Sequence, residues 1–335
     1  DQLAGIADGA GLEFGEILAF NVYHDVASPE ECTVSMAIGK ASDTGETVFA
    51  KNSDKVGGAS LVGPNFYRNK EINVVLFDEM SSGVKIVGVC AAGTTGLKMG
   101  MNNRGIVGGC NIARTEEMYA KKLDLTQIRA VDRAWLLRIG LELDNVLAAT
   151  NLVAGKILEA PMATPGNLEF ADAHEGYIIE GSYDRIAIKH LVDEVDSRSN
   201  MFITLSYLNK KDDVSSMCRY WRTQEILQAK KGKVTMPDLV AISMDHANGP
   251  GPNSICRHGV DFTEEISLSA MVMEMNGKEP EKSKFGIALG KPCHAWRDPQ
   301  GHVFGDMTWR REQIPAGFYD GETFKKFYIE EPRLS

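Results

Sequence analysis

The amino-acid sequence predicts an α+β protein whose sheets and helices fall into separate layers. Three observations carry that prediction: a run of alternating, strand-like segments from Cys32 to Ile112, a pair of helical segments between Thr126 and Leu158, and a second cycle of strands, helices and closing strands after Asn167. Strict alternation of strand and helix, the mark of a parallel sheet, is missing. At 335 residues, with 43% hydrophobic and 24% charged side chains, the chain is long enough for one large layered domain with a buried core.

Each element follows from local pattern. GEILAFNVYHDV sets Ile17, Leu18, Phe20 and Val22 on an apolar side and predicts a helix, which ASPEE interrupts at Pro29. From Cys32 the period changes to two. CTVSMAIG and ETVFAKNSD flank SDTG and predict a β-hairpin, with Gly45 relieving the turn. INVVLFDE and KIVGVCAAG read as strands, as do the two halves of LKMGMNNRGIVGGCNI around the turn NNRG. In TQIRAVDRAWLLRIGLEL a stripe of Ile128, Val131, Trp135 and Ile139 predicts a buried helix face, with Arg129, Asp132 and Arg133 outside it. DNVLAATNLVAGKIL predicts its partner helix, capped by Asp144. Strands return in NLEFADAHEGYIIEGSYDRIAIKHL and MFITLSYL. Helices return in SMCRYWRTQEILQAKKG and TMPDLVAISMDH, where Thr235 caps and Pro237 suits an early position. SLSAMVMEMN, with its methionines inward, and KFGIALGKP close the chain as strands. The clusters Gly93 to Gly96 and Gly108-Gly109 lack a phosphate-loop pattern and read as turns or close backbone approaches.

Charge narrows the class of partner. With 36 Lys+Arg against 46 Asp+Glu the net charge is -10, which excludes the basic footprint of a nucleic-acid binder and attraction to an anionic membrane. A small-molecule partner is expected, and a homo-oligomer is compatible with the composition. The six cysteines form no C-x-x-C pair, so reduced thiols and a cytoplasmic setting are expected. No run of about 18 apolar residues predicts a membrane span. The chain opens at Asp1 without an initiator Met, so an upstream segment is expected.

Cys32 opens the first alternating strand directly after Glu30 and Glu31. A thiol there is either a small packed residue or a nucleophile, and a nucleophile needs a base, a charge partner and oxyanion donors from elsewhere. Cys32-Thr33, the hairpin and Lys51-Asn52-Ser53-Asp54 resemble the start of the mature catalytic chain in cysteine N-terminal-nucleophile hydrolases. Leu137-Arg138-Ile139-Gly140-Leu141-Glu142, His174-Glu175 followed by Glu180, Ser254-Ile255-Cys256-Arg257 and Gly290-Lys291-Pro292 resemble the isopenicillin-N acyltransferase (acyl-coenzyme A:6-aminopenicillanic acid acyltransferase) family. That resemblance implies a four-layer αββα sandwich and a precursor that cuts itself at Glu31-Cys32. Residues 1–31 would be the remnant of a leading chain and 32–335 the catalytic chain, with no cofactor and no metal.

The resemblance also assigns roles. Cys32 is the nucleophile, Asp54 holds its freed α-amine, and Arg257 pairs with Asp54 or orients substrate. Asn52, Asn102 and Asn111 match polar positions, the last two as oxyanion donors. Lys51 stands where related penicillin-V-type hydrolases often carry Arg. Two departures stand out: Thr204-Leu205-Ser206-Tyr207 replaces the family's Thr-Asn-His, leaving Ser206 or Asn209 to supply the donor, and Glu31 replaces a small residue. The activity implied is cleavage of a linear amide through a Cys32 thioester. The alternatives are acyl transfer to an amine, or an unprocessed, catalytically silent binding protein. Cys256, His258, Cys293, His294 and His302 are of zinc-binding type, but their two short pairs are spaced unlike common zinc ligands, so no metal site is expected.

Overall fold

The hairpin that begins at Glu31 lies at the centre of the computed structural model, which describes residues 2–27, 31–56, 73–120, 130–259 and 265–310. Its strands, β1 (Glu31–Ala37) and β2 (Val48–Val56), pair antiparallel with Cys32 opposite Ser53 and Glu31 opposite Asp54. Gly45 takes φ 74° between them, a left-handed conformation open to glycine without steric cost.

Two helices lead: α1 (Gln2–Ala10) and α2 (Phe14–Ala27). After the hairpin come β3 (Asn73–Glu79), β4 (Lys85–Ala91), β5 (Met99–Asn102) and β6 (Val107–Ile112), then the short α3 (Glu116–Ala120). The helix pair is α4 (Arg133–Leu141) and α5 (Val146–Glu159). Next are β7 (Gly166–Ala171), β8 (Glu175–Gly181), β9 (Ile186–Val192) and β10 (Val195–Arg198). A second helix pair, α6 (Val214–Ala229) and α7 (Met236–Ser243), precedes β11 (Glu265–Glu274), β12 (Lys284–Leu289), α8 (Pro292–Ala295) and β13 (His302–Asp306).

The strands form two antiparallel sheets, one ordered β10-β1-β2-β11-β12-β13 and the other β3 through β9 in sequence. Val34, Met36, Phe49, Val87, Met99 and Ile178 fill the space between them. Leu136, Leu137 and Val153 of α4 and α5 pack on the outer face of the second sheet. Leu227, Leu239 and Ile242 of α6 and α7 pack on Ala50, Ala270 and Val272 of the first. The result is the αββα sandwich expected, an α+β architecture, with each buried aliphatic side chain contributing roughly 1.5–3 kcal/mol relative to exposure. Among the described residues no helix is long and apolar enough to cross a membrane.

Three local expectations are corrected. Asp132 caps α4 by accepting from Trp135 N–H at 3.0 Å, so the helix starts at Arg133 and turns Arg133, Leu136, Leu137, Gly140 and Leu141 inward. Arg133 is thus buried, its Nη1 donating to Thr164 Oγ1, instead of lying outside the stripe; Ile128 and Arg129 fall outside the described residues. Asn145, not Asp144, caps α5 through Ala148 N–H. MFITLSYL is not a strand. The buried Glu180 carboxylate accepts the N–H groups of Ile203, Thr204 and Leu205 at 2.8–3.0 Å, curling that backbone around an anion. Glu180→Ala would strand those donors and is expected to cost about 3–5 kcal/mol in urea unfolding. The exposed control Lys278→Ala is expected to stay within about 0.5 kcal/mol.

Candidate active site

Alternation along β1 sends Cys32 to the same face as Val34 and Met36, into the space between the sheets. At the Cys32 end that space changes character. Lys51, Ser53, Asn111, Asn167, Glu169, Glu180 and Arg198 replace the aliphatic filling, all of them buried. Cys32 is itself fully buried, among polar groups and outside the hydrocarbon cluster that takes Val34. Lys51 lies across Gly109, where a Cβ would stand 3.1 Å from its Cδ; glycine makes the room.

Two side chains hold the Cys32 main chain. Its N–H donates to Asn200 Oδ1 at 3.1 Å, and its carbonyl accepts from Arg219 Nη1 at 2.5 Å. Arg219 also donates to Thr33 Oγ1 at 2.9 Å and, through Nη2, to Asn200 Oδ1 at 2.7 Å. Asn200 Nδ2 donates to Ile112 O at 3.0 Å, which ties the end of β6 to the start of β1. Asn111 and Asn167 both donate to Ser199 O and fix the segment that carries Asn200.

The opposite face of the hairpin carries charge. Glu31 and Asp54 point toward the helix layer, where the Glu31 carboxylate meets Arg114, Arg257 and, at 3.4 Å, Arg219. Arg257 Nη1 stands 3.8 Å from Asp54 Oδ2, and Ser267 Oγ donates to Asp54 Oδ1 at 2.5 Å while accepting from Arg257 N–H. Burial pushes the Asp54 carboxyl up against the pull of Arg257 and Arg219. Arg219 is pulled down to about 9, first by burial and then by the like charge of Arg257. The thiol and the Asp54 carboxylate therefore stand on opposite faces of the hairpin, with the Cys32 backbone between them.

The predicted residues divide accordingly. Glu31, Asp54 and Arg257 come together on the helix side of the Cys32 backbone, while Asn111 lies in the polar interlayer on the thiol's side. Asn52 does not: its Nδ2 donates to Ser243 O and Ile255 O on the helix side, because its place on β2 turns it away from the thiol. Asn102 is used up by Leu141 O and Leu143 O and by the N–H groups of Arg104 and Ile106. Asn209 bonds both main-chain groups of Phe202, and Leu205 packs in an apolar cluster with Ala113 and Phe202. Ser206 is exposed and lines a cleft with Met201, Phe202, Ile203, Met217 and Trp221. Near Leu205 the asparagine that reaches Cys32 is Asn200, five residues earlier, whose Oδ1 accepts from the Cys32 N–H. Sequence reasoning missed Asn200, Arg219 and Arg114. Arg219 carried a signal, an arginine in the buried stripe Ser216, Arg219, Thr223 and Leu227 of α6. Apart from this site, the fold gathers His246, Cys256, His258 and Cys293 into one cluster and leaves His302 on Ala295 O.

Glu169 gives the polar interlayer a pH signature. Burial pushes its carboxyl up to about 8 from an ordinary 4.5, against the pull of Arg198 and Lys51. The unfolded chain loses this proton first, so the contribution of Glu169 to stability is present below about 4.5 and lost as pH rises to about 8. Within that window the loss amounts to at most about 1.4 kcal/mol per pH unit. Denaturation measured from about pH 5 to about pH 8 is expected to show a downward slope in the wild type that Glu169→Gln flattens.

No protein-family model matches the chain, and no curated protein matches it. Solved structures do. An N-acylethanolamine-hydrolyzing acid amidase ortholog from Caenorhabditis elegans aligns at 13% identity and TM-score 0.47, over 72% of this chain and 92% of that one. A variant of conjugated bile acid hydrolase from Clostridium perfringens aligns at 10% identity and TM-score 0.48, over 82% and 92%. Penicillin V acylase from Agrobacterium tumefaciens aligns at 13% identity and TM-score 0.44, over 83% and 86%.

Proposed function

We propose that this chain is an amide-cleaving enzyme of the cysteine N-terminal-nucleophile type, a zymogen that frees Cys32 by cutting its own Glu31-Cys32 bond. The observation that carries the reading is the double grip on the Cys32 backbone, Asn200 on its N–H and Arg219 on its carbonyl. Buried main-chain groups always need partners; here they come from two polar side chains that also bond to each other, not from a neighbouring strand. The grip fixes the nitrogen to be freed and the strand that aims the sulfur.

In the self-cutting step the Cys32 sulfur attacks the Glu31 carbonyl carbon, the carbon–nitrogen bond breaks, and the nitrogen takes the thiol proton. Water then opens the thioester and leaves a carboxylate on Glu31 and an α-amine on Cys32. In turnover this amine, ordinarily of pKa about 7.7 to 8, takes the proton of a thiol of about 8.5 and passes it to the leaving amine. Asp54, held by Ser267 and Arg257, supports the ammonium form. Asn111 and Asn200 are the candidate oxyanion donors, each such donor contributing about 2.7 to 4 kcal/mol in the transition state. Residues 1–31 become a leading-chain remnant, tied on by Asn21, which donates to Gly93 O and accepts from Thr95 N–H. Transfer of the acyl group to an amine uses the same atoms and differs only in what opens the thioester.

Incubation with a panel of linear N-acyl amides, followed by measurement of released carboxylic acid, tests this reading. Turnover is expected to fall by about 10³-fold or more in Cys32→Ala and by about 10²-fold or more in Asn200→Ala. Unchanged turnover in Cys32→Ala would remove the nucleophile. No turnover on any amide in the wild type would favour a silent binding protein.

A further inference from the structure

We propose that His246, Cys256, His258 and Cys293 form a closed, structural zinc site. The four come from separate places: His246 follows α7, Cys256 and His258 flank Arg257, and Cys293 lies in α8. Their ligand atoms all lie within 4.8 Å of one another. His246 Nε2 is 3.1 Å from His258 Nε2, which is 3.1 Å from Cys293 Sγ and 3.7 Å from Cys256 Sγ. A tetrahedron with Zn–S of about 2.3 Å and Zn–N of about 2.0–2.1 Å has edges of roughly 3.3–3.8 Å, close to these separations.

Hydrogen bonding alone does not account for the geometry. One imidazole nitrogen carries either a single N–H or a single lone pair. His258 Nε2 nonetheless faces three partners at once, a second imidazole nitrogen and two sulfurs, in a place where Cys256 is fully buried and Cys293 and His258 nearly so. A cation at the centre satisfies all four together, with both thiols giving up their protons on binding. Two histidines and two cysteines fill a tetrahedral shell, which leaves no open position for a substrate or a water; the role is structural. Cys256, His258 and Cys293 are already of zinc-binding type in the sequence; the irregular spacing, ten residues from His246 to Cys256 and 35 from His258 to Cys293, hid the fourth ligand, His246.

The position gives the site a task. Arg257 sits between two of the ligands and reaches Glu31 and Asp54. The metal would lock the segment that presents this guanidinium, making Cys256 and His258 positioning residues for it.

Elemental analysis of tag-free protein purified without chelator, then exchange of the metal for Co²⁺, tests the site without any variant. The expected results are about one zinc per chain and the visible absorption of a tetrahedral cobalt thiolate. Cys293→Ser is expected to weaken zinc binding by about 10²-fold or more, while His294→Ala, outside the four-ligand set with its ring edge-on to His258 at 5.6 Å, retains it. A wild type that contains no zinc and gives no cobalt spectrum would overturn the proposal. So would a Cys256-Cys293 disulfide in the non-reduced mass spectrum.

Discussion

The start of β1 is held by a buried hydrogen-bond grip, and the rest of the site is arranged around it. Asn200 and Arg219 bind the two main-chain groups of Cys32 and also bind each other. Neither side chain is free to leave: Asn200 is tied to β6 and Arg219 is fully buried in α6. Taking a guanidinium out of water costs several kcal/mol unless its donors and its charge are met. Here Cys32 O, Thr33 Oγ1, Asn200 Oδ1 and Glu31 Oε2 meet them. Both helix and sheet layers therefore converge on one residue.

The sandwich separates the chemistry into two compartments. Toward the second sheet the thiol shares a polar interlayer with Ser53, Lys51 and the asparagines. Toward the helices Glu31, Asp54, Asp213 and Glu265 face Arg114, Arg219 and Arg257. Strand alternation makes the division, since neighbours along β1 and β2 face opposite ways. The Cys32 backbone is the seam between the compartments, which suits a reaction in which its own nitrogen is first released and then used as a base.

Much of the architecture was legible because it rests on period. The hairpin, the antiparallel meander and the later helices follow directly from alternation, turn residues and caps. What failed were positions where tertiary contacts override pattern. MFITLSYL has strand composition, but the Glu180 carboxylate takes its amides; Arg133 looks solvent-facing until Asp132 sets the phase of α4. Cys32, Asp54 and Arg257 could be found from short motifs near turns and strand ends. Arg219 could not, because one arginine on a long helix points to a site only once the helix is laid against β1. The same holds for His246, whose partners are distant in the chain and adjacent only in the fold.

The central claim is that the sulfur of Cys32 severs the peptide bond before it. Intact-mass spectrometry of the wild type and of Cys32→Ala, each made with residues 1–31 in place, tests this most directly. The account predicts a wild-type chain split between Glu31 and Cys32 and an unsplit Cys32→Ala chain. A wild type that stays whole on prolonged incubation, or a Cys32→Ala chain that splits at the same bond, would contradict it.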